Sequence, residues 1–242
     1  MKNSNKFILV TGSESQMGKE LCSRLFYNQF KVIKIDRFKK KQKDYYQIDF
    51  TNKKKIKKTL FKLTKQYKNI YALFNLAASQ VFTSFEKRTH EEIDEIMDVN
   101  IKSNILMTQF VFNKYFKKNK QGKIINISSI FGFSSPDFKN YMSKDRKSSE
   151  IYGASKAAII QLTKYFAKYM SNYNINVNCV SPGGIENFKT QNKKFIYRYS
   201  KKVPLKRMAN IGEICDLLLF LLSEKSNYIN GENIVIDGGY TI

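Results

Sequence analysis

The chain has 242 residues, of which 42% are hydrophobic and 26% are charged. This length supports one full hydrophobic core, and no apolar run reaches the ~18 residues that a membrane-spanning helix needs, so we expect a single domain, 1–242, without membrane contact. The N-terminal residues lack a signal-peptide pattern and the three cysteines are scattered, so a cytoplasmic location with reduced thiols is expected. One histidine and no Cys/His cluster give no predicted metal site.

The formal net charge of +23 allows two interpretations. A basic surface can bind nucleic acid or another anionic surface. However, lysine outnumbers arginine 37 to 6, whereas surfaces that read phosphates use arginine freely. We therefore interpret the charge as solvated lysine-rich faces and expect no specific nucleic-acid partner. Salt-sensitive, weak DNA binding would agree with this interpretation, and affinity that survives physiological salt would not.

Short β-branched runs alternate with amphipathic segments from the start of the chain. The pattern predicts strands over 6–10, 31–35, 46–48, 70–74, 122–127, 175–180 and 233–236. It predicts helices over 17–28, 52–67, 151–170 and 211–222, and two helical stretches within 90–116. Strands that alternate with helices form parallel sheets through right-handed crossovers. The expected fold is a single-domain α/β Rossmann-type doubly wound parallel sheet with helices on both faces.

The first predicted loop joins a buried strand to a helix, where backbone amides and the helix dipole favour a pyrophosphate. Two glycines in this loop remove side chains where the backbone must turn or approach a ligand. By itself the pattern also fits an ordinary strand-to-helix turn. The candidate cofactor residues of the loop are Thr11, Gly12, Ser15, Gln16, Met17 and Gly18.

Acidic residues follow the second and third predicted strands. Asp36 is placed to accept hydrogen bonds from a ribose and to repel a 2′-phosphate, which favours NAD over NADP. Arg37 and Lys39 leave NADP open, because a cation can accept the extra phosphate. Asp49 is a candidate for the adenine amino group, next to Phe50, with a helix N-cap as its alternative role.

Tyr152 and Lys156 stand at i and i+4, so they share one face of a predicted helix. A phenol has a pKa near 10. A nearby cation lowers this value, and a lysine together with a positively charged nicotinamide ring would bring the pKa of Tyr152 towards 7. Such a phenolate takes a proton from an alcohol while hydride leaves the same carbon. Ser128 and Ser129 end the strand upstream of this helix.

Taken together, the motifs resemble the short-chain dehydrogenase/reductase family over essentially the whole chain. They are Thr11-Gly12 to Gly18, Asp49, Asn75-Leu-Ala-Ala78, Asn100, Ser128-Ser129, Tyr152-x-x-x-Lys156, Ser181-Pro-Gly183, Asn230-Gly231 and Asp237-Gly-Gly239. The resemblance implies that Tyr152 is the catalytic acid/base and that Lys156 lowers its pKa and holds the nicotinamide ribose. It also implies that Ser129 positions the substrate oxygen and that Asn100 holds a water in a proton relay.

The resemblance further assigns residues to the cofactor. Asn75 and Ala77 are expected on the adenosine side, and Pro182, Gly183 and Ile185 beside the nicotinamide ring. The chain departs from the family pattern in four places. Gln16, Leu76 and Asn187 replace residues that the family commonly carries, and the 22 residues between Ser129 and Tyr152 exceed the usual spacing.

The long spacing defines an extended active-site segment, 133–149, which includes Pro136, Asp137, Tyr141, Lys144, Asp145 and Arg146. It is expected at the mouth of the active site, together with a substrate-covering loop or helix at 186–210. These segments are similar to those of flagellin-modification-type oxidoreductases of surface-sugar and nonulosonic acid biosynthesis. That similarity implies a polar or anionic sugar-type substrate, with a phosphorylated or nucleotide-linked sugar among the candidates.

Two other functions stay open at this point. One is an NADPH-dependent 3-ketoacyl or small-ketone reductase, and the other is a non-catalytic nucleotide-sensing or nucleic-acid-binding protein on the same fold. Asp36 and the long mouth segment disfavour the first, and the intact Ser129, Tyr152 and Lys156 disfavour the second. Apolar residues surround much of the helix at 157–170, which together with 101–116 predicts a helix–helix subunit contact with twofold symmetry. The family resemblance points the same way, to a homodimer or homotetramer.

Overall fold

Seven parallel strands form one sheet in the order 3-2-1-4-5-6-7. The computed structural model describes residues 6–141, 147–187 and 191–242. The strands are β1 (Phe7–Thr11), β2 (Lys31–Asp36), β3 (Tyr45–Gln47), β4 (Ala72–Asn75), β5 (Gly122–Ile127), β6 (Ile175–Pro182) and β7 (Asn233–Ile236). The central strands are buried because helices cover both faces, as continuous apolar runs require.

The helices of the described residues lie between these strands. They are α1 (Gln16–Tyr27), α2 (Lys53–Gln66), α3 (His90–Ile96), α4 (Ser103–Val111), α5 (Lys117–Asn119), α6 (Glu150–Tyr169), α7 (Lys193–Lys202) and α8 (Ile211–Leu222). Two π-helical turns, Met97–Lys102 and Phe112–Phe116, join α3, α4 and α5 into one continuous helical rod. In the described part of the chain, no helix has the length and apolar character required to span a bilayer.

Two buried clusters hold the helices on the two faces of the sheet. One joins α2, α4 and α6 to the sheet through residues such as Leu63, Met107 and Ala167. The other joins α1 and α8 through residues such as Leu21 and Leu218. Burial of these apolar side chains is the main favourable contribution to folding.

The predicted fold class is confirmed. The strand over 122–127, the helix over 211–222 and the strand over 233–236 have the predicted bounds, whereas the other elements shift by one or two residues. The helical rod continues beyond 116 to Asn119. Asp49 does not cap α2, because the side chain of Asn52 accepts the hydrogen bond from the backbone amide of Lys55. Lys144, Asp145 and Arg146 lie outside the described residues.

The strand order reverses between β1 and β4. Loops after these neighbouring strands leave in opposite directions, which opens a crevice at the carboxyl ends of the strands, where ligands bind in doubly wound sheets. The Gly12 loop, the Asn75 loop and Ser129 all follow the carboxyl ends of strands at this edge.

Candidate active site

Tyr152 and Lys156 lie side by side in the first turns of α6. The Ser149 hydroxyl caps the helix by accepting a 3.3 Å hydrogen bond from the backbone amide of Tyr152. Lys156 Nζ lies 5.5 Å from the centre of the Tyr152 ring. The same ammonium donates a 2.9 Å hydrogen bond to the carbonyl oxygen of Ile127, at the end of β5. The structure thus brings together the pair that the spacing predicted and fixes the lysine against the sheet.

The pKa values of these two groups are set first by burial. Burial raises the pKa of Tyr152, and hydrogen bonds with the side chains of Gln80 and Ser129 offset part of the rise. Burial lowers the pKa of Lys156 to about 8. In the protein alone the pKa of Tyr152 is therefore raised, because removal of the phenol from water outweighs the favourable neighbours. The lowering of this pKa by Lys156 together with a bound nicotinamide stays a prediction.

The Ser128–Ser129 pair connects the end of β5 to α6. The Ser128 hydroxyl donates a 2.7 Å hydrogen bond to the carbonyl oxygen of Lys156. Ser129 faces the Tyr152 hydroxyl, and its Oγ also accepts a 3.2 Å hydrogen bond from the backbone amide of Phe131. A Cβ atom at Gly132 would lie only 2.8 Å from Ser128 Oγ, so only glycine permits this close packing of loop and helix.

Asn100 connects the loop after β4 to α6 from within a π-helical turn. Its Oδ1 accepts a 2.7 Å hydrogen bond from the backbone amide of Ser79, and its Nδ2 donates to the Ser79 carbonyl at 3.2 Å. Nδ2 also donates to Ser155 Oγ at 2.9 Å, and Ser155 Oγ donates to the Tyr152 carbonyl at 2.7 Å. The Asn100 side chain is thus satisfied by protein groups and acts as a connector.

A groove of about 960 Å³ runs along the carboxyl ends of the central strands, from Asp36 to Tyr152; we call it the cofactor groove. The predicted cofactor residues that line it are Gly12, Ser15, Asp36, Asp49, Phe50, Ala77 and Tyr152. Gly12 has φ +66°, and a Cβ there would lie 2.8 Å from the amide nitrogen of Ala77. Glycine is therefore required where the first loop meets the loop after β4.

Three other residues predicted for the cofactor, Thr11, Met17 and Gly18, do not line the groove. Thr11 Oγ1 accepts hydrogen bonds from the amides of Leu76 and Ala77, which positions the two loops. Gly18 is buried, and its amide donates to Ser15 Oγ, the N-cap of α1. Met17 packs on the α1–α8 cluster, so neither Met17 nor Gly18 lines the groove.

Asn75 does not face the cofactor groove, in contrast to the expectation for the adenosine side. Its Nδ2 donates to Asn126 Oδ1 at 2.9 Å and to Thr108 Oγ1 at 3.4 Å, within a buried polar network. Asn104 Nδ2 donates to the same Asn126 oxygen at 2.9 Å. The network joins β4, β5 and α4 below the groove, which gives the Asn75 side chain a structural role.

The charges of the cofactor groove oppose the net charge of the protein. Its described lining contains one basic residue, Arg37, and seven acidic residues: Glu14, Asp36, Asp49, Glu91, Asp94, Glu95 and Asp98. Asp36 Oδ2 accepts a 2.8 Å hydrogen bond from the amide of Glu14, which fixes the carboxylate at the end of β2. Lys40 forms an ion pair with Glu14. Glu14 was not among the sequence candidates, although it stands inside the glycine loop.

A second cavity of about 410 Å³ lies beside Ser129 and Tyr152; we call it the substrate cavity. None of its described lining residues carries a formal charge. Its aromatic lining residues are Phe82, Phe131, Tyr141, Tyr152, Phe195 and Tyr199. Amide side chains from Gln80, Gln191 and Asn192 add polar groups. Gly183, predicted beside the nicotinamide, lines this cavity and not the groove.

Both predicted mouth segments contribute to this cavity, 133–149 through Tyr141 and Ser148, and 186–210 through α7 and its N-terminal flank. Tyr199 Oη accepts a 2.6 Å hydrogen bond from the amide of Gly184, and its ring stacks on Tyr240 at 4.6 Å. Asn140 Nδ2 donates to Tyr240 Oη at 3.1 Å. The C-terminal segment thus ties the two mouth segments together.

The stretch from Pro182 to Ile185 leads from β6 to α7. Pro182 ends β6, and Ile185 forms an isolated β-bridge with Ala209. Gln191 Nε2 donates to the Ile185 carbonyl at 2.9 Å. Gln16 Nε2 donates to the carbonyl of Glu186 at 3.1 Å, which joins the first loop to the mouth of the substrate cavity.

A protein-family model described as enoyl-(acyl carrier protein) reductase matches residues 27–241. The chain is also 31% identical to the post-translational flagellin modification protein A of Campylobacter coli, over 98% of both chains. The chain belongs to the short-chain dehydrogenase/reductase family. This short-chain dehydrogenase/reductase is an NAD(P)-dependent oxidoreductase, and the predicted family resemblance is confirmed.

Another curated relative and two solved structures are also similar to this short-chain dehydrogenase/reductase. It is 31% identical to 3-oxoacyl-(acyl-carrier-protein) reductase FabG of Thermotoga maritima, over 100% of both chains. A short-chain dehydrogenase from Leptospira borgpetersenii, solved with bound NAD+, is 38% identical and superimposes with a TM-score of 0.91 over 100% of this chain and 94% of that one. A 4-hydroxyisoleucine dehydrogenase complexed with NADH is 26% identical, with a TM-score of 0.87 over 98% and 99% of the chains.

Several residues of this short-chain dehydrogenase/reductase site were not predicted from the sequence. Phe195 and Tyr199 stand at i and i+4, a spacing that signals a shared helix face but not a cavity. Gln80 and Gln191 follow no local pattern, because their positions depend on where two loops meet. The folded chain is needed to identify them.

Proposed function

We propose that this protein interconverts a secondary hydroxyl and its ketone in an uncharged sugar-type substrate, with NAD as the preferred cofactor. The observation that carries the proposal is the position of Tyr152, which lines both the cofactor groove and the substrate cavity. A phenol at this junction can reach a substrate oxygen while a reacting carbon faces the end of the groove. The carbohydrate part of the proposal draws on the similarity to the flagellin modification protein of Campylobacter coli.

In the oxidation direction, the substrate hydroxyl lies between Ser129 Oγ and Tyr152 Oη, the two polar groups that face each other in the cavity. The ionised Tyr152 oxygen accepts the proton of the substrate hydroxyl. The C–H bond of the carbon that bears this hydroxyl breaks, and the hydrogen leaves as hydride. When bound, the nicotinamide ring supplies the hydride acceptor. In the reverse direction Tyr152 returns the proton to the alkoxide oxygen. General acid–base catalysis of this kind contributes about 10²- to 10⁴-fold.

The cofactor groove has properties that suit a dinucleotide. Bare backbone of the Gly12 loop faces it ahead of the α1 N-terminus, and the Ser13 hydroxyl behind this loop is buried without a partner among the described residues. Asp36 and its acidic neighbours favour ribose hydroxyls and repel a 2′-phosphate, which supports NAD over NADP. We assign Lys156 to the nicotinamide ribose, and Ala77 and Asp49 to the adenosine.

The cofactor preference is tested with Asp36→Asn, which keeps an acceptor for the Glu14 amide and removes the negative charge. We expect the ratio of kcat/KM for NAD to kcat/KM for NADP to fall by about tenfold, because a charged hydrogen-bond acceptor is lost at the ribose. Asp216→Asn, in an exposed ion pair with Arg24, is the matched control. An unchanged ratio in Asp36→Asn would exclude Asp36 as the ribose contact.

The substrate cavity favours an uncharged ligand with both polar and apolar faces. A phosphate placed there would lose its hydration without gaining a described cationic partner, which is costly. Sugar rings present apolar C–H faces that pack against aromatic rings, and their hydroxyls suit the amide side chains. The cavity therefore supports a neutral sugar derivative over the phosphorylated or nucleotide-linked forms that the sequence left open.

The substrate class is tested by NADH formation at 340 nm with matched sugars: a panel of free aldoses, ketoses and N-acetylhexosamines, and the same sugars as phosphates. We expect the neutral member of a productive pair to have the larger kcat/KM by at least about tenfold, from the desolvation of the charged group. Tyr152→Phe is the control for enzyme-dependent signal. A clear preference for phosphorylated members would contradict the neutral-substrate proposal while leaving the oxidoreductase chemistry intact.

A ketoacyl substrate is the second candidate, favoured by the 31% identity to the Thermotoga maritima reductase. Acetoacetyl-CoA with NADPH discriminates between the two functions. Turnover of this pair at a higher kcat/KM than any sugar with NAD+ would establish the ketoacyl function.

A further inference from the structure

Gln80 stands at the junction of the two cavities. Its side chain lines both the cofactor groove and the substrate cavity, a property that it shares with Tyr152. The Gln80 and Tyr152 side chains thus lie next to each other at this junction, and Gln80, like Ser129, favours the ionised form of the Tyr152 hydroxyl. A carboxamide therefore lies beside the side chain that the proposed function assigns to proton transfer.

The backbone before Gln80 is fixed relative to Tyr152. Asn100 forms two hydrogen bonds with the backbone of Ser79: its Oδ1 accepts from the amide at 2.7 Å, and its Nδ2 donates to the carbonyl at 3.2 Å. Asn100 Nδ2 also reaches Ser155 Oγ at 2.9 Å, and Ser155 Oγ donates to the carbonyl of Tyr152 at 2.7 Å. The loop that carries Gln80 and the helix that carries Tyr152 are thus joined by a short chain of hydrogen bonds.

We propose that Gln80 is a positioning residue of this site, whose carboxamide holds the Tyr152 hydroxyl and donates a hydrogen bond to its oxygen in the ionised form. The proposal rests on the function of Tyr152 proposed above. A carboxamide has two N–H donors, and a donor stabilises a phenolate more than a phenol. Lys156, by contrast, donates to the carbonyl of Ile127 in this structure. Gln80 thereby supplies part of the stabilisation that the sequence assigned to the lysine.

This role explains the geometry of Asn100. Its side chain is occupied on both sides by Ser79 and Ser155, so its contribution is to set the distance between the Gln80 loop and α6. Ser79 Oγ adds a 2.5 Å hydrogen bond to Glu95 Oε1 in α3, which fixes the loop from the other side. The Gln80 backbone is therefore anchored although its side chain is exposed to the two cavities.

The test is an NMR titration of protein labelled with ¹³C at the tyrosine Cζ, with the Tyr152 signal assigned by its loss in Tyr152→Phe. Wild type, Gln80→Met, Gln80→Glu and Gln121→Met are titrated with and without NAD+. Methionine keeps the length of glutamine and removes the donors. Gln121 is exposed in the turn before β5 and lines neither cavity, so Gln121→Met is the matched control.

We expect the pKa of Tyr152 in Gln80→Met to exceed that of wild type by about one unit, the value of one hydrogen bond. Gln80→Glu should raise it further, because a carboxylate only accepts and repels the phenolate, and Gln121→Met should not change it. Equal pKa values in wild type and Gln80→Met, both without and with NAD+, would overturn the proposal.

A second measurement ties the effect to turnover. The acid limb of the pH profile of kcat for alcohol oxidation should move to higher pH in Gln80→Met by the same amount, and an unmoved limb would contradict the proposed role. If no alcohol is oxidised at all, the proposed function fails, yet the NMR titration still reports whether Gln80 acts on the Tyr152 hydroxyl. The two failures are therefore distinguishable.

Discussion

Two opposing influences act on the pKa of the Tyr152 hydroxyl. Burial raises its pKa, whereas Ser129 and Gln80 favour its ionised form. A buried phenol remains protonated at neutral pH unless further positive charge comes near, which couples its ionisation to the occupancy of the neighbouring groove. We therefore expect this side chain to serve proton transfer more than cofactor affinity.

The first prediction concerns Tyr152→Phe. Turnover should fall by about a thousandfold or more because the proton acceptor is lost, while the Kd for NADH stays within about threefold. Steady-state assays and calorimetric titration check the two parts. Tyr165→Phe, at an exposed position of the same helix, is the control. Retained turnover in Tyr152→Phe would remove the residue from the chemistry.

Lys123 is a buried cation remote from the active site. It is 4% exposed, and its Nζ donates to the carbonyls of Leu221 and Ser223 and to Ser226 Oγ, at the C-terminal end of α8. Burial lowers its pKa to about 8, from the value near 10.4 of an unfolded chain. Between these pH values the unfolded state binds more protons than the folded state, so this lysine makes folding more favourable as pH rises.

The second prediction concerns how the contribution of Lys123 to stability changes with pH. The free energy of unfolding of wild type, minus that of Lys123→Met, should increase by up to about 3 kcal/mol between pH 7 and pH 10. Subtraction removes the contributions of the thiols, whose raised pKa values act in the opposite direction in both proteins. Urea denaturation at a series of pH values measures the difference. A difference that does not vary with pH would show that Lys123 is not desolvated.

The residues that could be identified from the sequence are those whose role depends on near neighbours in the chain. Tyr152 and Lys156 could be predicted because one helix sets their spacing, and Asp36 because it ends a strand. Asn75 was assigned to the cofactor but serves a buried network, since its partners Asn126 and Thr108 lie far away in the chain. Gln80 was missed for the same reason: its function depends on the meeting of two loops.

Among the elements, α7 contacts the backbone that follows β6 through one of its tyrosines. Tyr199 is 4% exposed, and its hydroxyl accepts from the Gly184 amide while its ring stacks on Tyr240. Phe195, one turn earlier, lines the substrate cavity on the same helix face. The position of α7 over the cavity therefore depends on a contact with the backbone just after β6.

The third prediction is that Tyr199→Phe lowers the free energy of unfolding by about 1–3 kcal/mol, because the Gly184 amide loses its partner. Chemical denaturation measures the loss. Tyr197→Phe, on the exposed face of the same helix, should change stability by less than about 0.5 kcal/mol. Equal effects of the two substitutions would show that the Tyr199 hydroxyl does not hold α7.

Most of the helices and strands could be predicted because buried apolar residues, and the spacing of these residues along the chain, indicate where each element begins and ends. The strand of 122–127 is buried on both faces, and the helix of 211–222 begins with the Asn210–Glu213 capping box. The π-helical turn Met97–Lys102 had no such signal, since it depends on how Asn100 reaches Ser79 and Ser155. The bounds of α7 were also missed, because its anchor Gly184 lies outside the helix.

At the scale of the molecule, positive charge and the cofactor groove are separated. Seven lysines and no acidic residue occupy α2, whereas the groove is lined mainly by carboxylates. The excess of basic residues that gives the chain its net charge of +23 is therefore absent from the described lining of the groove. An acidic lining suits a cofactor with free ribose hydroxyls better than one with an additional phosphate.

The fourth prediction concerns assembly. Tyr165 and Tyr169 stack on each other on α6 and are each 59% exposed, while Ile105 and Leu106 of α4 are 37% and 38% exposed. This uncovered face agrees with the subunit contact expected from the sequence. Light scattering should give a mass of two or four 28.3 kDa chains, and Tyr165→Glu with Tyr169→Glu should lower it.

The control for assembly is Tyr27→Glu, at an 88% exposed tyrosine of α1 that the contact does not include. A wild-type mass of one chain, or a double variant with unchanged mass, would contradict a contact through α4 and α6.

The central claim is a dinucleotide groove that ends at Asp36 and Tyr152 and prefers NAD. Isothermal titration calorimetry of the wild-type protein with NADH and with NADPH tests it most directly. The account predicts one site per chain for NADH, with a Kd at least about tenfold below that for NADPH, because the carboxylates repel the 2′-phosphate. Tighter binding of NADPH, or binding of neither dinucleotide, would contradict it.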